Sequence, residues 1–332
     1  MSRHLSQHGP QELRERFLQN LQLSERLRGQ RDMLAHLGAV ALSTPPGIKR
    51  RTIYDLAHST ALPGKLVRSE GGPATGDLEA DEAYNYSGNT YDFFSKVLGR
   101  NSIDNAGMRL DSSVHFSQQY DNAFWNGAQM VYGDGDGIIF QRFTKCLDVV
   151  GHELTHGITQ FEAGLQYQDE PGALNESLSD VFGSLVKQWK KKQSAAKADW
   201  LIGQGLFVKG INGVALRSMK APGTAYNDPM LGKDPQPSHV KNQYHGSNDN
   251  GGVHINSGIP NHVFYLVAMD LGGNAWDRAG HIWYDALCNH LKPNSQFKDA
   301  AHATAMAATI RFGAGSKEEI SVKAAWKQVG VI

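Results

Sequence analysis

Cysteine is nearly absent, with Cys146 and Cys288 the only two among 332 residues. That excludes a disulfide-framework domain and any zinc site built from thiolates. A single bridge between them stays open, but two buried free thiols are the preferred reading. Charge of one sign is not in excess either, since 33 Lys and Arg balance 33 Asp and Glu. No global field therefore draws the chain to nucleic acid or an anionic membrane. Long apolar runs are missing, and the stretch at residues 263–271 is too short and interrupted to span a bilayer. The opening MSRHLSQHGPQELRERF has no apolar h-region, so no secretory signal is expected. Glycine, by contrast, is plentiful at 36 residues and favours turns and close backbone approaches.

The length allows two ordinary domains or one domain with an appendage. Residues 1–50 stand apart, because Leu13, Phe17 and Leu21 recur every four residues, followed by Leu34 and Leu37. The spacing predicts one or two amphipathic helices ending before the breaker Thr44-Pro45-Pro46-Gly47. Such a segment is either a permanently docked cap or a short propeptide that is removed, and the propeptide is favoured. Residues 52–148 read as short strands and turns, with strands at 114–116, 129–132 and 138–140. The run Gly133-Asp134-Gly135-Asp136-Gly137 is a turn signal and lacks the spacing of an EF-hand loop. Helices are predicted at 148–160, 175–191, 259–271, 279–291, 297–312 and 317–329, the last with a capping box from Ser316 and Glu319. The expected fold class is α+β, with a β-rich half (51–160) followed by a mainly helical half (161–332).

The chemistry is concentrated in His152-Glu153-Leu154-Thr155-His156. Two histidines four apart share one helical face, so both imidazoles can reach one ion. Glu153 is then placed to take a proton from metal-bound water rather than to bind the metal. A catalytic zinc needs a third protein ligand and an open position. Twenty residues after His156, Asn175-Glu176-Ser177-Leu178-Ser179-Asp180 follows Pro171-Gly172 and is expected to open a second helix. Glu176 can face the first helix and complete the set, while Asn175 and Asp180 can orient the imidazoles through their second nitrogens. The alternative for this stretch is simple capping of a helix N-terminus.

These motifs, in this order, resemble the thermolysin-like zinc metalloendopeptidases. Further matches are Asn122-Ala123-Phe124-Trp125, Gly164-Leu165-Gln166-Tyr167, Leu216-Arg217-Ser218-Met219 and the run from Asp249 to Gly258 that contains His254. Together they cover roughly residues 52–330, and the short N-terminal segment is most similar to the protealysin-type subgroup. The resemblance implies a two-domain fold with the cleft and the HExxH helix between the domains. It implies that Asp249 orients His254, and that His254 and Tyr167 hydrogen-bond the developing oxyanion. Arg217 would bind a substrate carbonyl, while Asn122 and Ala123 would pair with an extended peptide and Asn122 would hold the departing amine. Phe140, Phe143, Val149 and Leu216 match the apolar pocket for the residue after the cleaved bond, although pattern alone makes them core residues. No residue set for capturing a free terminus is evident, which favours cleavage of internal bonds.

One departure from the family concerns calcium. Two acidic positions of its double calcium site resemble Asp148 and Asp199, but the others are Lys187, Leu201 and Gln204. A lysine in place of a carboxylate repels a cation, so the double Ca2+ site is expected to be absent. The expected cofactor is one Zn2+, the partners are protein or peptide substrates, and the N-terminal segment is an intramolecular inhibitor of a monomer. Nucleic acid and membrane are not expected as partners. Family members are commonly exported, which favours a secreted protein by a route without a visible signal peptide over a cytoplasmic one.

Overall fold

The computed structural model describes residues 2–36 and 45–332. Two helices come first, α1 (Ser2–His8) and α2 (Gln11–His36). Of their apolar repeat, Leu13 and Phe17 lie with Leu5 in the main core while Leu21 is only half-buried, and Leu23 packs against a smaller cluster around Phe116 and Tyr120. Leu34, Leu37 and the expected end of this helical segment before Thr44 fall outside the side chains and residues described.

A five-stranded sheet follows, built from β1 (Arg51–Asp55), β2 (Lys65–Ser69), β3 (Leu110–Val114), β4 (Ala123–Trp125) and β5 (Met130–Tyr132). The order is β2-β1-β3-β5-β4, with β1, β3 and β5 parallel and the two edge strands antiparallel to their neighbours. The short strand β4 is therefore an edge with one unpaired side. Residues 138–140 do not form the expected strand, and Phe140 makes only an isolated bridge to Phe207. The strand expected at 114–116 ends at Val114, because His115 turns to φ +56°.

The largest departure from the sequence reading is α3 (Leu78–Leu98), a 21-residue helix inside the half expected to be strands and turns. Its Tyr, Thr, Asn and Gly content gives weak intrinsic helicity, so periodic local signals understate it. Tertiary burial of Ala80, Ala83, Tyr84, Tyr91, Phe93 and Phe94 outweighs that, and Asp77 caps the start by accepting from Ala80 N–H at 2.9 Å.

Helix α4 (Leu147–Phe161) carries HELTH and is buried along nearly its whole length. Against it lies α5 (Asp169–Lys191). This helix begins six residues earlier than expected, with Pro171 as its third residue rather than in a preceding turn. Proline is tolerated there because first-turn N–H groups have no intrahelical acceptor. Asn175-Glu176 thus sits in the second turn, which excludes N-terminal capping as its explanation. Two glycines set how closely the helices approach: a Cβ on Gly183 would stand 2.4 Å from Asp148 O, and one on Gly151 3.1 Å from Gly183 Cα.

The remainder carries two short antiparallel pairs, β6 (Leu201–Ile202) with β7 (Arg217–Ser218) and β8 (Asn227–Asp228) with β9 (Gly232–Lys233), and is mainly helical from residue 248 onward. The helices are α6 (Asn248–Asn256), α7 (Gly258–Leu271), α8 (Ala279–Asn289), α9 (Phe297–Phe312) and α10 (Lys317–Gln328). The last four match the expected segments closely. The capping box on α10 is half formed: Ser316 Oγ accepts from Glu319 N–H, but the Glu319 carboxylate turns to Gly315 N–H instead. Cys146 and Cys288 are both free, but only Cys146 is buried as expected and Cys288 is half-buried.

Candidate active site

Helix periodicity brings the His152 and His156 Nε2 atoms to 3.1 Å of each other. Close packing of α5 adds Glu176, whose Oε2 lies 3.4 Å from His152 Nε2 and whose Oε1 lies 3.4 Å from His156 Nε2. Each imidazole is aimed through its other nitrogen. His152 Nδ1 bonds Asp180 Oδ1 at 2.8 Å, and His156 Nδ1 bonds Asn175 Oδ1 at 2.7 Å. Asp180 is itself held by Arg217, through Nε at 2.7 Å and an Nη at 2.6 Å, and by Asn261 Nδ2 at 2.8 Å. Ser179 Oγ stands 3.1 Å from His156 Nδ1.

This donor set fits a metal ion. An ion bound at about 2.05 Å by tetrahedral ligands holds them roughly 3.3 Å apart, and the three nitrogen and oxygen separations are 3.1, 3.4 and 3.4 Å. Glu176 Oε2 is buried with no hydrogen-bond partner. Burial opposes a charged imidazole at His152, yet the Asp180 and Glu176 carboxylates outweigh it and raise its pKa to about 10. Burial likewise works against the Glu176 carboxylate, but His254 and the two imidazoles hold its pKa well below the usual range. A buried carboxylate with an unpartnered oxygen beside two aimed imidazoles suits a cation at their centre. Glu153 is half-buried, and its carboxylate lies with the two histidines in a group whose donor atoms are within 4.8 Å of one another.

A second constellation faces the first. Tyr167 OH donates to Glu176 Oε1 and lies 3.2 Å from His254 Nε2. Asp249 grips its partner twice, with Oδ1 2.6 Å from His254 Nδ1 and Oδ2 accepting the His254 N–H at 2.8 Å. The geometry requires a left-handed turn over residues 249–252, which the two glycines allow, before α6 becomes regular at Val253. Asn122 and Ala123 line the same cavity as His152, Glu153, His156, Tyr167, Glu176 and His254.

The other expected substrate contacts are placed differently. Arg217 spends two of its donor nitrogens on Asp180, so it acts at least as a fold salt bridge. Phe140 and Phe143 pack as tilted rings with centroids 5.7 Å apart and are buried together with Val149, while Leu216 is half-buried against the same core. None of the four lines the cavity. The sequence reading missed Ser179, Asn261 and Ser24. Ser179 follows Asn175 by one helical turn, so helix spacing could have found it. Asn261 lies 81 residues from Asp180 with no local signal. Ser24, on α2, lines the cavity and shares a 2.8 Å hydrogen bond with Tyr120 OH.

Known proteins share this arrangement. Residues 46–160 match the thermolysin metallopeptidase catalytic domain, and residues 163–331 match the thermolysin metallopeptidase alpha-helical domain. An extracellular metalloprotease of Pectobacterium carotovorum subsp. carotovorum is 56% identical over 288 residues, covering 86% of this chain and 82% of that one. Protease PrtS of a Photorhabdus strain is 49% identical, covering 85% and 76% of the two chains. Thermolysin of Alicyclobacillus acidocaldarius is 43% identical over 84% of this chain and half of its own. The solved precursor of protealysin, a metalloproteinase from Serratia proteamaculans, superposes with a TM-score of 0.91 at 53% identity, covering all of this chain and 97% of that one. The chain belongs to the thermolysin family of metallopeptidases.

Proposed function

We propose that this metallopeptidase is a zinc endopeptidase that cuts internal peptide bonds, with bulky apolar residues favoured just after the bond. The observation that carries this is the meeting of two sets in one cavity: a His152, His156 and Glu176 shell, and the Tyr167 and His254 pair facing it. His152, His156 and Glu176 would hold the zinc, which when bound supplies a Lewis acid that acidifies water and polarises a carbonyl. Glu153 takes the proton of the attacking water and passes it to the leaving nitrogen, acting first as base and then as acid. Tyr167 OH and His254 Nε2 donate to the oxyanion as it develops, and Asp249 keeps His254 aimed through its Nδ1. Asn122 and Ala123 sit at the start of edge strand β4, where an extended substrate can add by main-chain pairing. Arg217 would turn its remaining donor to a substrate carbonyl. The pocket of Phe140, Phe143, Val149 and Leu216 would open to the cleft only as substrate enters.

The N-terminal segment is proposed as the enzyme's own inhibitor. Ser24 reaches the metal-ligand cavity, while at the other end of the segment the His4 ring lies about 3.3 Å from where a Gly232 Cβ would stand. Cleavage between about residues 46 and 52 would release it, leaving 51–160 and 161–332 as the two catalytic domains of a monomer. We further propose extracellular action, in keeping with relatives named for it. Among the described residues no helix is long and apolar enough to cross a membrane.

The decisive variant is Glu153→Gln. It should keep zinc at one ion per chain and lower kcat by about 10²–10⁴-fold. Mass spectrometry of a digested unstructured protein reads the cleavage positions for the wild type. Undiminished hydrolysis by zinc-loaded variant would remove Glu153 from the mechanism.

A further inference from the structure

Asp121 directly precedes the cleft-lining Asn122, and its carboxylate has only a long ion pair, to Arg16 at 3.6 Å. The side chain is 1% exposed, and neither oxygen makes a hydrogen bond. Near it lies Asp136, in the turn run that follows β5. Asp136 Oδ1 is committed to three backbone N–H groups, those of Ile138 at 2.9 Å, Ile139 at 2.7 Å and Phe140 at 2.9 Å. Asp136 Oδ2 pairs with Arg16 of the N-terminal segment, whose Nη2 also stands 3.6 Å from Asp121 Oδ2. Its other terminal nitrogen reaches Gln119 Oε1 at 3.3 Å. Burial and the neighbouring Asp136 push the Asp121 carboxyl up to about 8 even with this guanidinium present. Among the described residues no other cation pairs with either carboxylate.

We propose that Asp121 and Asp136 form a subsite for a basic side chain of the substrate, and that Arg16 fills it in the intact chain. Two buried carboxylates converging on one point are costly without a cation, so removal of the segment leaves a site built for one. The position along a substrate follows from α2. Ser24 meets the metal-ligand cavity, and Arg16 precedes it by eight residues, about 12 Å at 1.5 Å per residue. An extended peptide covers that distance in roughly three to four residues, and a long basic side chain shortens the requirement. Asp136 is also tied to the backbone of Phe140, which belongs to the apolar pocket proposed for the residue after the bond. The favoured lysine or arginine therefore falls two or three residues beyond the cleaved bond. This rests on the endopeptidase reading and adds a second specificity element to it.

The test uses protein made as the full chain and assayed after removal of its N-terminal segment by self-cleavage or brief trypsin treatment. Quenched fluorescent peptides share one apolar cleavage site and carry Arg, Lys, Gln or Glu at the second or third position after it. Wild type should favour Arg or Lys over Gln by at least about tenfold in kcat/KM at one of these positions, and Asp121→Asn should reduce that ratio to below about twofold. The ratio does not depend on how much of the variant folded, and zinc content checks the site itself. No basic preference in the wild type, or one that Asp121→Asn leaves intact, overturns the proposal. A preference that calcium abolishes assigns the pocket to a metal ion and overturns it as well. Failure to cut any peptide in the set would instead count against the endopeptidase reading.

Discussion

Lys187 stands where the family resemblance implies a carboxylate, and its contacts can be read directly. Its Nζ lies 2.8 Å from Asp148 Oδ2, 2.8 Å from Asp199 Oδ1 and 2.6 Å from the Leu201 carbonyl. An ammonium thus sits among three oxygens of the kind a calcium ion would take. Burial disfavours its charge, but Asp148 and Asp199 more than compensate and raise its pKa. Lys187→Met would leave a buried carboxylate uncompensated, at a cost of about 3–5 kcal/mol. Millimolar calcium should leave the wild-type Tm unmoved and should raise that of Lys187→Glu, where a third carboxylate completes an oxygen shell. A calcium-dependent Tm in the wild type would show that an ion binds this region after all. The lysine was legible because it stands where the resemblance calls for a carboxylate. HELTH was legible for a different reason, since both imidazoles lie on one helical face within five residues. Nothing local joins Glu176 to His254, 78 residues away and 3.4 Å distant, and only the family motifs brought them together.

At the level of elements, the sequence disclosed helices rich in strong helix formers and obscured the one rich in weak formers. Helices α9 and α10 fall where the pattern puts them. Helix α3 was hidden because Tyr, Asn, Ser, Thr and Gly crowd its middle and lower its intrinsic helicity. Its buried positions 80, 83, 84, 87, 88, 91 and 94 do keep a helical period, but its start is fixed by partners distant in sequence. Those partners are visible at Asp77, whose second oxygen lies 2.9 Å from His115 Nε2, while His115 Nδ1 lies 2.9 Å from Asp134 Oδ2. His115 therefore ties the N-terminus of α3 to the turn after β5. The Asp134 hydrogen bond, opposed by burial and aided by Asp77, raises its pKa from 6.5 to about 9. A histidine with a raised folded pKa stabilises fully below its unfolded value of about 6.5, and that stability is lost as pH climbs toward 9. After allowance for solvent screening the effect is roughly 2–3 kcal/mol. Urea unfolding of the inactive Glu153→Gln chain at pH 6 and pH 9.5 should show this loss, and His115→Asn should flatten it. Asparagine is chosen because His115 has φ +56°, which it tolerates better than most residues. An equal pH slope in both proteins would remove His115 as the anchor.

On the scale of the molecule, the N-terminal segment meets the cleft at Ser24, which lines the same cavity as His152, His156 and Glu176. Main-core burial of Leu5, Leu13 and Phe17 anchors α1 and α2, while Arg16 and Ser24 place polar contacts beside the cleft and in its metal-ligand cavity. Their composition only hinted at this, since an amphipathic helix does not say which surface covers its apolar face. If the segment inhibits as proposed, docking by a few large side chains would make latency adjustable, because the open fraction depends exponentially on the docking free energy. Phe17 is fully buried, so Phe17→Ala should cost about 3 kcal/mol of docking and raise the open fraction roughly a hundredfold. Leu18, half exposed on the same helix, supplies the control, and Leu18→Ala should change little. The measurement is initial hydrolysis of a short fluorogenic peptide, taken while mass spectrometry still finds the N-terminus intact. Wild-type intact chain should be nearly silent beside the trimmed enzyme, Leu18→Ala should match it, and Phe17→Ala should leak strongly. Equal activity of intact and trimmed wild type would mean that the docked helices are a permanent cap and that the cleft is open to substrate beneath them.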